Sequence, residues 1–205
     1  MYKAVKIGNT YSLPKEVVRK YYKYVDVPWT RPNLTANGTM GGLDFAVHAS
    51  NEYYVYPVYY PAWKAVDGID ISATDMWSST VIPVTYDFYN PEPLKVTKLT
   101  LTNPQTYSGR AIASGEVYTS DDNNTWTLFT SFTNTYVAPS DVWDIDLSSN
   151  TNFYKYYRIN VLSNAGQSSS VTDLGITAYT LGTEESTSSD YDFYKDVDVY
   201  KAIEQ

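Results

Sequence analysis

Few side chains in this sequence are of the types that carry out catalysis. The chain has no cysteine and a single histidine, His48, which lies in a short segment that favours a strand. It lacks the GxSxG, HExxH and phosphate-loop motifs of common hydrolases and nucleotide enzymes. Asp144 and Asp146 share one face of a predicted strand, whereas the carboxylates of a glycosidase flank a cleft. We therefore expect a structural role for His48 and no enzymatic activity.

Tyrosine is the unusual feature of the composition, with 22 of the 205 residues, beside five tryptophans and six phenylalanines. A tyrosine offers a flat apolar ring and a hydroxyl, so many of these side chains must reach water or a ligand. Aromatic rings with nearby amides can bind sugars, and they can equally contact protein. An aromatic-rich chain with much threonine and serine and few charged residues favours β-structure.

The charge balance excludes other classes of partner. The formal charge is −8, with 23 acidic and 15 basic side chains, whereas a nucleic-acid-binding surface must be positive. No run of eighteen apolar residues is present, so we expect no membrane insertion. No apolar segment follows Met1, so we expect no secretory signal peptide.

Short strands and turns alternate between Trp29 and Leu181. Residues 143–147 and 157–161 alternate between apolar and polar side chains, as half-buried strands do. Residues 94–103 follow the same pattern with one phase slip, which predicts a bulge, and residues 90–93 predict a turn. Regular short strands of this kind predict an all-β sandwich over residues 29–181.

The two ends of the chain differ from this middle part. In residues 1–28, Ser12 as a cap and Pro14 in the first turn predict a helix that runs to about Tyr22. This predicted helix is basic, and it is the only convincing helix in the chain. In residues 182–205, we predict a polar linker over 183–190 and then a strand-like arm.

The C-terminal arm alternates apolar and acidic side chains, and Thr183 to Gln205 contain seven acidic and two basic residues. Its apolar side chains are Tyr191, Phe193, Val197 and Val199. A half-apolar strand needs a covering partner, and opposite charge would guide the two ends together. We expect these ends to mediate assembly, as homo-oligomer contacts or by docking on another protein; the alternative is that both pack on their own sandwich.

Five segments of the chain, in this order, resemble the coagulation factor V/VIII type C (discoidin) family. They are residues 62–68 (AWKAVDG), 76–79 (MWSS), 85–88 (TYDF), 117–127 (VYTSDDNNTWT) and 156–159 (YYRI). Their order and spacing are similar to the galactose-binding-like jelly rolls, including carbohydrate-binding modules of family 32, over residues 29–181. The resemblance implies a jelly-roll β-sandwich and a non-catalytic, carbohydrate-binding role.

Four further segments resemble discoidin-type domains in tail and other virion proteins of phages that infect gut bacteria. They are residues 29–32 (WTRP), 36–42 (ANGTMGG), 45–50 (FAVHAS) and 146–157 (DLSSNTNFYKYY). This resemblance implies a virion protein assembled in the host cytoplasm, which binds a glycan on the bacterial surface or in mucus and contacts other virion proteins. The alternative is a structural subunit, such as a head decoration or a fibre-associated protein, with the same fold and no sugar affinity.

Members of the family bind glycans through loops at one end of the sandwich, which correspond here to residues 51–60, 104–110 and 163–170. The resemblance implies a set of aromatic, amide and guanidinium side chains as candidate ligands for a glycan: Tyr59, Tyr60, Trp63, Gln105, Tyr107, Arg110 and Asn164. We expect Trp77 and Trp126 to pack inside the sandwich, whereas Trp63 is equally suited to the core and to a binding surface.

The resemblance also implies a structural Ca2+ held by Asp67 and Asp70, because calcium takes oxygen ligands. A glutamate that completes this site in the family corresponds to Gly175 here, so Asp173 would have to replace it. The alternative is that Asp67 and Gly68 form a simple turn, in which the carboxylate accepts a hydrogen bond from a nearby backbone N–H.

Overall fold

Strands make up most of the protein in a computed structural model, which describes residues 5–7, 10–12, 15–55, 57–69, 74–106 and 108–192. The strands in these ranges are β1 (Val5–Ile7), β2 (Thr10–Ser12), β3 (Lys15–Trp29), β4 (Ala46–Ala49), β5 (Tyr53–Val55), β6 (Val58–Tyr60), β7 (Trp77–Ser79), β8 (Val84–Thr102), β9 (Ile112–Ser120), β10 (Thr127–Thr133), β11 (Val142–Asp146), β12 (Tyr154–Asn164), β13 (Ser169–Val171) and β14 (Asp173–Asp192). Two single-turn 3-10 helices, Ala62–Ala65 and Ser108–Arg110, complete the assignment. No helix in the described ranges is long and apolar enough to cross a membrane.

Contacts between residues divide the chain into two compact units. One consists of Met1–Val25 and Gly182–Gln205, and the other is Asp26–Leu181. In the first unit β1 pairs with β2, and Lys20 forms an exposed ion pair with Glu185 at 2.7 Å.

The second unit is a β-sandwich whose two sheets share β8. The first sheet has the order β10-β9-β12-β8-β4, and the second has β8 between β11 and β14. All of these pairs are antiparallel. This arrangement confirms the expected all-β jelly-roll sandwich.

Strand β8 passes from one sheet to the other at residues 90–93. Tyr89 pairs with Tyr156 and Leu94 pairs with Tyr154, so four residues of β8 lie opposite one residue of β12. The predicted turn is therefore a large, irregular bulge inside a continuous strand, and bulges or bends are a common way for a strand to change sheets. The predicted phase slip is confirmed, because the register between β8 and β14 shifts opposite Thr97.

The core lies between the two sheets and consists of alternate residues of their strands. In β12 the core residues are Tyr157, Ile159 and Val161, and the ring of Tyr157 stacks on Phe88 of β8 at 5.1 Å. Trp77 is fully buried there, as expected. Each large apolar side chain buried in this way contributes roughly 1.5–3 kcal/mol to the stability of the fold.

Trp126 does not join this core, contrary to our expectation. It is half-buried and packs against Ala46, Tyr89 and Tyr156, which lie on the opposite face of the first sheet. The physical reason is strand alternation, since Tyr156 and Tyr157 must point to opposite faces. A tryptophan that follows a turn can cover either face.

The predicted helix at the N-terminus is wrong, because residues 15–29 form strand β3. Val17, Val18, Tyr21 and Tyr22 are residue types with high β-propensity, and β14 offers β3 a strand to pair with. The predicted linker is also wrong, since β14 continues through residues 183–190 to Asp192. The rest of the expected C-terminal arm, residues 193–205, lies outside the described residues.

Candidate functional site

Two of the three predicted binding loops lie side by side. The N–H of Gln167 donates to the carbonyl of Gly109 at 2.8 Å, and the N–H of Ala165 donates to the carbonyl of Ala111 at 2.9 Å. A Cβ atom on Gly109 would lie 2.9 Å from Cγ of Gln167, so a larger residue at this position would displace the Gln167 side chain.

Strand β7 connects the remaining loop, residues 51–60, to this pair. Ser79 donates a hydrogen bond to the side chain of Asn51 at 2.9 Å, and Trp77 donates to the carbonyl of Asn51 at 3.2 Å. Ser79 pairs in turn with Ser169 of β13, which continues directly from the loop at 163–168. The three loops therefore gather at the same end of the sandwich.

The first loop is a hairpin, β5–β6, with tyrosines on both of its faces. Tyr53 stacks on Tyr60 with ring centroids 5.9 Å apart, and Tyr60 is buried. Tyr54 contacts Tyr59 edge to face at 6.3 Å, and these two rings are 58% and 46% exposed. Of the two candidate tyrosines, Tyr59 thus presents its ring to solvent and Tyr60 does not.

Glu52 organises this hairpin. Its carboxylate accepts hydrogen bonds from the side chain of Asn37 at 2.9 Å, from the N–H of Ala62 at 2.7 Å and from the hydroxyl of Tyr59. The hydrogen bond to Glu52 raises the pKa of Tyr59 to about 12, so this hydroxyl remains a proton donor. Sequence reasoning missed Glu52, although an acidic residue next to five tyrosines could have indicated such a contact.

Trp63 lies in the first 3-10 helix, where its backbone N–H donates to the side-chain oxygen of Asn37 at 2.9 Å. Its ring is half-buried and packs against the core, and Nζ of Lys64 lies 5.9 Å from its centroid. The structure therefore places Trp63, like Tyr60, against the core beside the hairpin.

The other candidates occupy the paired loops. Gln105 is exposed, and Arg110 is half-buried at the end of the second 3-10 helix. The side-chain oxygen of Asn164 accepts a hydrogen bond from the N–H of Gly166 at 2.9 Å, which closes a turn. Tyr107 lies outside the described residues. Among the described candidates at this end of the sandwich, the Tyr59 ring and the Gln105 amide are thus exposed, whereas Arg110 and Asn164 are half-buried.

In the loop predicted to bind calcium, Asp67 accepts a hydrogen bond from the N–H of Ile69 at 2.8 Å, which is the turn that was our alternative. Burial raises the pKa of Asp67, and the neighbouring Asp75 carboxylate raises it further. Asp75 pairs with Lys64 at 3.1 Å, and Asp173 pairs with Arg31 at 2.8 Å.

Asp70 lies outside the described residues. Among the residues that are described, no group of three acidic, histidine or cysteine side chains could hold a metal ion. The calcium site therefore stays a prediction.

Comparison with known proteins identifies the fold. No family model matches the sequence, and no curated protein matches it. A family 32 module of Clostridium perfringens NanJ, solved with galactose, aligns with a TM-score of 0.54 and 17% identity over 65% of this chain and 93% of that module.

Two other solved structures extend this result. A family 32 module of C. perfringens GH89, solved with GalNAc-β-1,3-galactose, has a TM-score of 0.56 and 14% identity over 66% of this chain and 95% of that one. An F5/8 type C domain from Bacteroides fragilis has a TM-score of 0.58 and 17% identity over 76% of this chain and 97% of that one. The sandwich therefore has the jelly-roll fold of these three domains.

Proposed function

We propose that this protein is a non-catalytic carbohydrate-binding module that binds a glycan at the end of the sandwich formed by residues 51–60, 104–110 and 163–170. The observation that carries the proposal is that these three loops gather at one end, and that one of them presents an exposed tyrosine ring, in a fold shared with modules solved in complex with sugars. The ring of Tyr59 would stack on the CH face of a sugar.

The polar groups at this end suit a hydroxyl-rich ligand. Gln105 offers both an amide donor and an acceptor, and the Asn164 side chain keeps its NH2 group while its oxygen closes the turn. Glu52 holds the Tyr59 hydroxyl in one orientation, which lowers the entropy lost when a ligand binds. A shallow site of this size buries few ligand atoms, so monovalent affinity falls on the order of micromolar to millimolar.

The proposal places the module on a bacteriophage particle, where it attaches the virion to a glycan of the bacterial surface or of mucus. The support is the resemblance of residues 29–32, 36–42, 45–50 and 146–157 to virion proteins. Many copies on one particle would turn weak single contacts into stable attachment.

Strand β3 supports the assembly role of the N-terminal segment. Tyr21, Tyr22 and Tyr24 are 52%, 66% and 74% exposed, and successive residues of a strand point to opposite sides. Aromatic rings are enriched where proteins meet, so this strand is suited to a second copy of the chain. Replacing the three tyrosines by serine is expected to lower the mass measured by light scattering; an unchanged mass would contradict the proposed role.

A structural Ca2+ in the loop at residues 65–70 belongs to the same proposal. The Asp75 carboxylate is close enough to raise the pKa of Asp67, and a divalent cation would offset the repulsion between the two carboxylates. Lys64 supplies a positive charge to Asp75 in this structure. An ion bound to Asp67 and Asp70 would fix the loop that follows the first 3-10 helix.

A glycan array probed with the full chain tests the proposed function. We expect signals for a subset of glycans, a strong decrease for Tyr59→Ala and Gln105→Ala, and no change for Leu128→Ala, which removes an exposed side chain from β10. A blank array for a folded protein that still joins particles would overturn the proposal in favour of a structural subunit.

A further inference from the structure

A cavity lies on the face of the first sheet that points away from the core. Its volume is about 240 Å3. The side chains that line it come from four neighbouring elements: Thr85, Tyr118, Trp126, Arg158 and Asn160. The cavity is lined by the outer face of the sheet and not by the loops, although Thr85 lies next to the first loop, because its N–H donates to the side chain of Ser50 at 3.0 Å. Asn160 and Asn164, which belongs to the third loop, are four residues apart on β12, or about 13 Å along the strand.

Arg158 forms the floor of this cavity and is fixed from both sides. Its Nε and Nη2 atoms donate to the two carboxylate oxygens of Asp87 at 2.7 and 2.8 Å. The Asp87 side chain is 5% exposed, and its hydrogen bond raises the pKa of Arg158. Because the carboxylate neutralises the guanidinium charge, the floor is polar without attracting anions.

Trp126 forms one wall and is held in place by the turn before it. Cζ of Arg158 lies 4.0 Å from the centroid of the Trp126 ring. In the turn, the Asp122 carboxylate accepts hydrogen bonds from the N–H groups of Thr125 at 2.7 Å and Asn124 at 2.9 Å. The indole is therefore positioned before any ligand arrives.

The opposite wall combines an aromatic ring with amide and hydroxyl groups. Tyr118 donates its hydroxyl proton to Glu116 at 2.7 Å, and the NH2 group of Asn160 donates to the same carboxylate oxygen at 3.2 Å. Because Asn160 uses its NH2 group for Glu116, its side-chain oxygen can accept a hydrogen bond from a ligand. The hydroxyl of Thr85 also lines the cavity and can bind a ligand. The Glu116 charge disfavours an anion here.

The neighbouring part of this face is covered by the chain itself. Met40 packs against Tyr89 and Tyr156, and the Tyr89 hydroxyl donates to the carbonyl of Gly42 at 2.8 Å. The cavity thus lies on a part of this face that the segment with Met40 and Gly42 does not cover, next to Trp126. Its volume is below the ~300 Å3 at which pockets for drug-sized molecules begin, so it suits a single ring.

We propose that this cavity is a second saccharide site, which takes one neutral pyranose unit. The ring of Tyr118 and the part of the Trp126 ring that Arg158 does not cover provide apolar surface for sugar C–H groups, while Thr85 and Asn160 provide a hydroxyl and a carbonyl oxygen for sugar hydroxyls. This inference goes beyond the proposed function, because it concerns a different surface and does not require the loop end to bind. Two sites on one chain would allow it to hold two branches of a glycan.

Saturation-transfer NMR with the full chain and a panel of galactose, glucose, fucose and N-acetylglucosamine tests this proposal. The experiment is carried out in a Tyr59→Ala/Gln105→Ala background, so that the loop end does not contribute. We expect one of these sugars to bind in this background. Thr85→Val, which keeps the shape of the side chain, and Asn160→Ala should each weaken that binding at least tenfold, whereas the exposed Lys98→Met control should not.

Each outcome separates the two sites. Binding that disappears with Tyr59→Ala and Gln105→Ala alone overturns the second site and supports the loop end. Binding that persists there but is lost with Thr85→Val supports the second site, whatever the loop end does. Equal binding by the Tyr59→Ala/Gln105→Ala background with and without each cavity substitution overturns it.

Discussion

The guanidinium carbon of Arg158 lies 4.0 Å from the ring centroid of Trp126, while two nitrogens of the same group bind Asp87. A cation placed over an indole contributes about 0.5–2 kcal/mol, depending on its desolvation. The planar guanidinium can satisfy the carboxylate and the ring together, which a lysine ammonium cannot do. This one side chain therefore links β12, β8 and the segment before β10.

Removing the charge of Arg158 is expected to destabilise the fold. Arg158→Met leaves the Asp87 carboxylate buried without its partner, which costs 3–5 kcal/mol for a fully buried pair. Because the Arg158 side chain is 28% exposed, we expect about 2 kcal/mol. Lys98→Met is the control, since Lys98 and Asp144 form an exposed pair. Equal urea midpoints for the two variants would show that the Arg158 pair does not stabilise the protein.

Tyr157→Phe is expected to lower the free energy of unfolding by about 1–3 kcal/mol, the cost of leaving a buried polar group unsatisfied. The Tyr157 hydroxyl donates to the carbonyl of Leu94 at 2.6 Å and accepts from the N–H of Val96 at 3.2 Å. Tyr154→Phe removes only a long bond with Asn152 and should change stability little. Urea denaturation of the two variants measures the difference, and similar values would contradict the prediction.

Asp122 is expected to make stability depend on acidity. Its hydrogen bonds from the N–H groups of Thr125 and Asn124 lower its pKa from 3.8 to about 2. A lowered pKa in the folded state means that the contribution is complete above pH ~4 and disappears as the pH falls through ~2. Asp122→Ala should therefore reduce stability at pH 7 and make little difference near pH 2. A deficit that is the same at pH 7, 4 and 2 would exclude this mechanism.

Calcium is expected to raise the melting temperature, on the proposal that Asp67 and Asp70 bind it. At a concentration one hundred times the dissociation constant, an ion stabilises the folded state by ~2.7 kcal/mol, which corresponds to a rise of at least ~5 °C for a chain of this size. Scanning calorimetry in millimolar calcium and in EDTA measures the shift, with Asp67→Asn as the variant that should lose it. No rise in the wild-type protein would end the proposal.

The sandwich could be predicted from the sequence because its strands are half-buried. Val142–Asp146 alternates between exposed and buried residues along its length, and that period of two is visible in the side chains alone. The N-terminal strand could not be predicted in this way. Its valines and tyrosines are spaced as well for a helix as for a strand, and its pairing with β14, some 160 residues later in the chain, decided between them.

The loop end was located only through the family resemblance, since loops carry no periodic pattern. The contacts of Glu52 with Asn37, Tyr59 and Ala62 depend on how the chain folds back, which residue types alone do not show. The same is true of Trp126, whose position follows from which face of the sheet its turn reaches.

His48, the only histidine, is exposed on β4 opposite Asp87.

Because β8 supplies hydrogen bonds to both sheets along its nineteen residues, neither sheet can open while the other remains closed. The sandwich should therefore unfold in a single cooperative transition. The amide protons of β8 would then exchange with solvent only through complete unfolding, and their protection would report the global stability of the domain.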